Sequence, residues 1–342
     1  MRKILLPISL LVVLVFSPSA AQDKEEPLFD QLVNTFQTKY FKIGALLQNV
    51  ADFQIERTFL GNNGFNIANF RLNFSGELDQ GFGYFLQTSF TQSPAILDAR
   101  MYYRFSSRVT LDIGQFKAPF SKEFLTSAAG IDFVNRSQAV SVLRPGWQIG
   151  LQVRGSTDDN LLRYAAGIFN GNGFSLNNND DANFMYVARI AVFPALGPST
   201  SSAGALEIGA NAAYSKDTGV SLPWMIFEGK RLLLGGDVRL TQGDLLVSGE
   251  VVYERFVPVV GSIAKPFGYH ATVGYMVTPK SQVLLRWDSF RPDGLVANSD
   301  LVIAGLNVWP TKATEVQVNY VISTEFSSLQ HHQLLVNAQL GF

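Results

Sequence analysis

Arg71, Arg100, Arg104, Arg154 and Arg189 recur at positions where strand alternation turns them away from an apolar face, and Arg239 and Arg286 follow the same rule. Four further cations, Lys117, Lys122, Arg136 and Arg144, fall within one long irregular segment. A row of such groups can replace the water shell of an anion such as phosphate or sulfate with charge-assisted hydrogen bonds, arginine in a two-pronged manner. The same faces also carry Glu77, Asp98, Asp112, Glu207, Asp237, Glu250, Glu254 and Asp288. Asp98 with Arg100, and Asp237 with Arg239, stand two apart on one strand and are expected to neutralise each other. Two readings of these charges therefore stand together: an anion pathway, and a paired surface that is merely hydrated.

Catalytic chemistry finds little to work with. The histidines are His270, on an inward face among Tyr269, Ala271 and Thr272, and the pair His331 and His332. Adjacent residues on a strand point to opposite faces, so the pair makes a poor metal site. A Gly-x-Ser-x-Gly motif and a phosphate-cradling glycine loop are both missing from the sequence. With no cysteine, the chain has no disulfide, zinc thiolate or thiol nucleophile. No enzyme activity, cofactor or metal is expected.

The elements that must position these cations are short strands of two-residue period. Ala68, Phe70, Leu72 and Phe74 alternate with Asn69, Arg71, Asn73 and Ser75; Leu97, Ala99, Met101 and Tyr103 alternate with Asp98, Arg100, Tyr102 and Arg104. Trp147, Ile149, Leu151 and Val153 oppose Gln148, Gln152 and Arg154, and Val316, Val318, Tyr320 and Ile322 oppose Glu315, Gln317, Asn319 and Ser323. Each strand has one apolar and one wet face. Ten residues at about 3.3 Å each, tilted about 45°, rise roughly 23 Å, near the apolar height of a barrel wall in a membrane. About sixteen such segments can be placed, an even number in the range of single-chain outer-membrane barrels. The fold predicted is all-β: a transmembrane antiparallel β-barrel.

Composition and the N-terminus agree. Charged residues make up 16% of the chain and aromatics 12%, where a soluble sandwich would need a more charged exterior. Arg2 and Lys3 precede an apolar run from Ile4 to Phe16 and small residues to Ala21, so residues 1–21 are expected to be a secretory signal peptide. Its loss takes the formal charge from −1 to about −3, which gives no bulk basic patch for nucleic acid. Residues 22–38 are expected to form a short periplasmic leader and 39–342 the barrel. Aromatics near strand ends, Tyr40, Phe41, Tyr102, Tyr103, Trp147, Trp287 and Trp309, are expected in the interfacial girdles.

Short links at Asp79 to Gly81, Ser106-Ser107, Thr157 to Asn160, Thr241 to Gly243, Thr278-Pro279 and Pro310-Thr311 alternate with long polar ones at 56–65, 170–183, 216–227, 291–298 and 324–330. Tight periplasmic turns and long outside loops are what such barrels have. One connection differs in kind. After the fifth strand, residues 116–145 carry phenylalanines, few charges and little alternation over about 30 residues, far beyond an ordinary loop. Folding inward to form a constriction is the expected solution.

This block resembles the phosphate-selective porins O and P. The resemblance is carried by Gly114-Gln115-Phe116-Lys117-Ala118-Pro119-Phe120-Ser121, Glu123-Phe124-Leu125-Thr126-Ser127, Asp132-Phe133-Val134-Asn135-Arg136-Ser137, and the run from Gly146 to Gly155. It implies a sixteen-stranded, homotrimeric porin of the bacterial outer membrane, surrounded by outer-membrane lipid, with the third loop at its constriction and lysine and arginine favouring small anions. Lys117 lies within the resembling block, Lys122 has no counterpart there, and Ser127 to Ile131 carries no lysine. The terminal Phe342 is the expected assembly signal for the barrel assembly machinery. The function expected is passive diffusion of small hydrophilic solutes and ions, with anion or phosphate preference resting on the cations above. The alternative is a structural or adhesive barrel with a closed lumen, plugged by the leader.

Overall fold

The computed structural model describes residues 37–54, 63–91, 93–196, 204–222, 225–325, 329 and 332–342. The expected signal peptide, leader residues 22–36, loop residues 56–62 and His331 lie outside them. The strands of the first half are β1 (Lys42–Gln54), β2 (Gly64–Glu77), β3 (Phe82–Ser89), β4 (Ala95–Arg104), β5 (Thr110–Lys117), β6 (Trp147–Ser156), β7 (Leu162–Phe169) and β8 (Met185–Val192). The second half comprises β9 (Ala205–Leu222), β10 (Met225–Gln242), β11 (Leu245–Pro258), β12 (Phe267–Thr278), β13 (Ser281–Arg291), β14 (Ser299–Thr311), β15 (Thr314–Ser323) and β16 (Gln333–Gly341). Each strand pairs antiparallel with its sequence neighbours, and β1 pairs with β16, so the sheet closes without an edge. Closure satisfies the backbone polar groups that lipid cannot.

Alternation decides which way each side chain faces. In β12, Phe267, Tyr269, Val273 and Tyr275 are exposed on the outer surface while His270 and Thr272 between them are buried inside. β8 does the same with Tyr186 and Ile190 outside and Val187 and Arg189 inside. Among the described residues no helix is long and apolar enough to cross a membrane. A closed sheet with an apolar outer face and a polar inner one is the pattern of a barrel wall that meets lipid.

The wall is uneven. Strands β3 to β8 have 8 to 10 residues each, whereas β9 and β10 have 18. The expected long loop over 216–227 is instead the upper part of this hairpin, with β9 running to Leu222 and β10 starting at Met225. Its Gly219 and its mixed polarity read as a loop, yet the inward side chains Asp217, Val220 and Phe227 are buried, and Phe227 lies against Phe256 with ring centroids 5.0 Å apart.

Between β5 and β6 the chain leaves the wall. It contains two short helices, α1 (Lys122–Leu125) and α2 (Gln138–Leu143). Phe120, Phe124, Ala139, Val140 and Leu143 are buried and pack with Met185, Val187, Ala213, Leu233 and Val252, which are inward residues of β8 to β11. Fully burying a side chain the size of Phe120, Phe124, Val140 or Leu143 contributes about 1.5–3 kcal/mol, enough in sum to hold an otherwise irregular segment. Gly114 precedes the departure at φ +125°, and a Cβ there would lie 2.0 Å from the Ala99 carbonyl oxygen. Only glycine fits that approach.

Candidate functional site

Residues 121–138 are tied to inward side chains around much of the barrel. The Ser121 N–H donates to Asn211 Oδ1 on β9 at 3.2 Å, and the Val134 N–H to Asn319 Oδ1 on β15 at 2.8 Å. Gln48 on β1, Gln317 on β15 and Gln339 on β16 donate to the carbonyls of Ala128, Ile131 and Ala129 at 3.1, 2.9 and 3.1 Å. Asn307 on β14 donates to the Asp132 carbonyl at 2.9 Å, while Arg239 on β10 grips the Asp132 carboxylate at 2.7 and 3.0 Å. The Gln138 N–H donates to Asp288 on β13 at 3.0 Å. The segment thus leans on β9 to β16 and β1.

Glu123 is the best connected of these tethers. Arg286 Nη2 lies 2.8 Å from its carboxylate, and both the N–H and the hydroxyl of Ser137 donate to it at 2.8 and 2.7 Å. Its own N–H donates to Glu250 at 3.0 Å. Burial works to raise the Glu123 carboxyl, but Arg286, His270 at 3.8 Å and the Ser137 bonds outweigh it and hold it at about 2.

The cations predicted from the sequence separate into two sets. Arg189 is committed to Asp237 at 2.5 Å and Lys122 to Glu207 at 2.6 Å. Arg154 bonds Asp112 at 2.7 Å, Arg100 lies 3.6 Å from the same carboxylate, and Arg104 meets Glu77 at 2.9 Å. Lys117, Arg136, Arg144 and Arg71 have neutral partners instead. Lys117 Nζ donates to the carbonyls of Phe124 and Thr126 at 2.5 and 3.1 Å and sits over the rings of Phe124 and Trp147. Arg136 donates to the carbonyls of Glu123 and Thr126 at 3.1 and 2.7 Å, Arg144 to those of Val140 and Ser141 at 3.1 and 2.5 Å, and Arg71 to Gln87 at 3.4 Å. Lys117 lies within electrostatic reach of the other three and of Asp98. Burial, opposed by Glu123, lowers the Arg136 guanidinium, and burial together with Arg136 brings Arg144 to about 10.

Two cavities adjoin this cluster, of about 650 and 510 Å³, and Asp98, Lys117 and Leu125 border both. The larger is lined by Arg100, Arg104, Arg154, Arg163 and Arg189 with Glu207; the smaller by Arg71, Gln87, Lys312, Glu315 and Gln339. The larger runs along β4 to β9, and the smaller lies between the segment and β1 to β4, reaching Glu315 and Gln339 on β15 and β16.

Several expectations are corrected by this geometry. Asp98 and Asp237 are not neutralised along their own strands: Asp98 accepts from the Trp147 indole N–H at 3.2 Å, Asp237 pairs with Arg189, and Arg239 reaches the loop. Residues two apart on a strand are roughly 7 Å apart, whereas cross-strand neighbours are roughly 5 Å apart, so pairing runs across the sheet. Trp147 is no girdle residue, since it stacks edge-on with Phe124, and Tyr102 lies beneath Arg154. Tyr40, Phe41 and Trp287 are exposed. Phe342 closes the sheet by exchanging backbone bonds with Ala45 at 3.0 and 3.1 Å. The amide tethers Gln48, Asn307, Gln317, Asn319 and Gln339, and the loop acids Glu123 and Asp132, were not singled out from the sequence. The available signal was a run of inward amides on β14 to β16, too bulky and too specific in polarity for a plain wet wall.

The model of one family, phosphate-selective porin O and P, matches residues 41–339. A search of curated proteins gives no match. Among solved structures, an anion-selective porin from Comamonas acidovorans superposes with a TM-score of 0.67 at 13% identity, over 88% of this chain and 99% of that one. OprB of Pseudomonas putida, at high pH, gives 0.65 at 10% identity over 92% and 96%. OmpT of Vibrio cholerae, in its trimer form, gives 0.60 at 10% identity over 88% and 99%. At these identities the structural likenesses speak for the fold.

Proposed function

The chain belongs to the phosphate-selective porin O and P family and is a bacterial outer-membrane porin, a channel for small solutes, and from that membership we propose that its lumen prefers anions. The observation that carries the preference is Lys117, which borders both cavities, with Arg71 lining the smaller one and Arg136 and Arg144 within electrostatic reach of Lys117; among the described residues no carboxylate forms an ion pair with any of the four. An anion crossing there exchanges water for guanidinium and ammonium donors held in place by carbonyls and rings. Arg100, Arg104 and Arg154 extend the cationic lining toward the tight-turn end, each keeping part of its charge toward the lumen while bound to an acid.

In this reading the segment between β5 and β6 is the constriction. Support comes from its tethers to β1 and β9 to β16, which crowd one side of the barrel and leave the cationic side open. The roles of Lys117, Lys122, Arg136 and Arg144 differ accordingly: Lys122 anchors the loop on Glu207, and the other three face solute. Residues 1–21 direct export, 22–38 form the leader, and Phe342 signals barrel assembly. Homotrimeric assembly completes the picture; the trimer form of a similar structure supports it, as does the low wall of β3 to β8, where the 8 residues of β3, β5, β7 and β8 at about 3.3 Å and a tilt of about 45° rise only about 19 Å, less than a bilayer core. Family and fold are those of a channel, and no catalytic role is assigned to His270 or the loop acids.

The test is the reversal potential of the purified protein in a planar bilayer under a potassium chloride gradient, with phosphate then titrated in. Chloride preference that phosphate blocks supports a true anion site. A potential near zero or of cation sign sinks the anion reading and leaves an unselective porin, and absence of any conductance favours the closed barrel.

A further inference from the structure

Four cations stand on the outer surface of β9 to β12, on the side opposite the lumen. Lys216 on β9 is directly opposite Lys230 on β10. Leu232 is opposite Arg255 on β11, which places Arg255 diagonal to Lys230. The register that sets Tyr253 opposite Phe267 continues through the bridge of Phe256 with Ala264, so Arg255 faces Lys265. All four side chains are exposed, and among the described residues none has a hydrogen-bonded or ion-paired side-chain partner. Like charges directly opposite on a sheet repel. Two such pairs side by side are a standing cost unless something anionic lies across them.

Their level on the wall identifies what that is. Each cation stands two residues beyond an outward apolar one: Tyr214 below Lys216, Leu232 below Lys230, Tyr253 below Arg255 and Phe267 below Lys265. This is the end of the strands away from the tight turns at 242–245 and 278–281, hence the outer leaflet. An apolar step, aromatic in three of the four, followed by a cation marks the plane where acyl chains give way to headgroups. The acids in the neighbourhood leave the charges unmatched. Asp217 and Glu254 face the lumen and hold Arg231, the Asp293 carboxylate takes the backbone N–H of Lys265 at 2.7 Å, and Glu228 lies one outward step beyond Lys230 with no ion pair.

We propose that Lys216, Lys230, Arg255 and Lys265 form a binding site for a phosphate-bearing lipid headgroup of the outer leaflet. Phosphate oxygens bridge the opposed cations by charge-assisted hydrogen bonds while the acyl chains lie along the outer faces of Tyr214, Leu232, Tyr253 and Phe267. The site is separate from the lumen, so it stands whether or not the channel prefers anions.

The experiment uses the purified full chain in detergent, titrated with diphosphorylated lipid A and with the same lipid stripped of phosphate, bound copies being read by native mass spectrometry. A variant combining Lys216→Gln, Lys230→Gln, Arg255→Gln and Lys265→Gln is compared, with heat-modifiable gel mobility to verify folding; the pair Lys216→Gln with Lys230→Gln serves if the fourfold variant does not fold. The expected result is phosphate-dependent retention that falls by at least about tenfold in the variant, since each juxtamembrane cation contributes roughly fivefold. Equal retention by the variant, or equal retention of the stripped lipid, overturns the proposal. Loss of lipid on adding inorganic phosphate at matched phosphorus also overturns it, because the cations then serve a soluble anion.

Discussion

Lys117 borders both cavities, so removing its charge probes the proposed pathway most directly. Lys117→Gln deletes one unit of charge and keeps an amide donor for the Phe124 and Thr126 carbonyls; Lys117→Glu changes the charge by two units. An ion passing about 5 Å from the ammonium in a water-filled lumen feels about 0.8 kcal/mol, or about 0.5 kcal/mol after screening at about 0.1 M salt. The anion loses that attraction and the cation loses an equal repulsion, so the permeability ratio moves by about 1 kcal/mol, roughly fivefold toward cations. For Lys117→Glu the same arithmetic gives about 2 kcal/mol, roughly thirtyfold. The assay is the zero-current potential in a chloride gradient, with Lys280→Gln as a control: that lysine bonds the Pro310 carbonyl at a periplasmic turn and should leave the ratio unchanged. Unchanged potentials for both Lys117 variants would remove this residue from the pathway and the loop from selectivity.

Four further outcomes follow from the same geometry. Glu123→Gln leaves buried Arg286 without its anion and should destabilise the loop by about 3–5 kcal/mol, seen as larger or flickering single-channel currents; steady wild-type currents would show that the amide tethers suffice. Because the folded-state pKa of Glu123 is depressed to about 2, its stabilisation is fully present above the ordinary carboxyl value and fades as pH falls from about 4.5 toward 2, so conductance should hold steady down to mild acid and change only below it. Gly114→Ala forces a Cβ to 2.0 Å from the Ala99 carbonyl, and little folded, heat-modifiable barrel should be recovered; normal yield would mean the strand can re-route. Phe342→Ser should lower the amount of barrel reaching the outer membrane in cell fractionation without changing the conductance of refolded protein, an outcome that separates targeting from stability.

The barrel was legible in the sequence because a membrane wall imposes one rule at every position: lipid on one face, water on the other, with a period of two. That rule placed sixteen strands, turned Arg71, Arg100, Arg154 and Arg189 inward, and marked 116–145 as something other than a loop in water. It failed where the rule does not apply. At 216–227 the inward face of β9 and β10 mixes Asp217 with Val220 and Phe227 and the outward face is mostly polar, so the segment looked like a loop, and Trp147, at the point where the chain leaves the wall, turned to Asp98 and Phe124 instead of lipid.

What the sequence could not decide was which charges cancel. Alternation fixes the face of a side chain but not its register against the next strand, and an ion pair is decided over about 4 Å. Asp112 lies near Arg154 and Arg100, and Asp237 near Arg189, only because closure of the sheet sets β4, β5 and β6, and β8, β9 and β10, in one particular register. The loop's position is likewise a tertiary fact: Asp132 meets Arg239 and Glu123 meets Arg286 across separations of 107 and 163 residues. Sequence therefore determined that cations face the lumen; the fold determined that, among the described residues, Lys117, Arg71, Arg136 and Arg144 form no ion pair while Arg100, Arg104, Arg154 and Arg189 do.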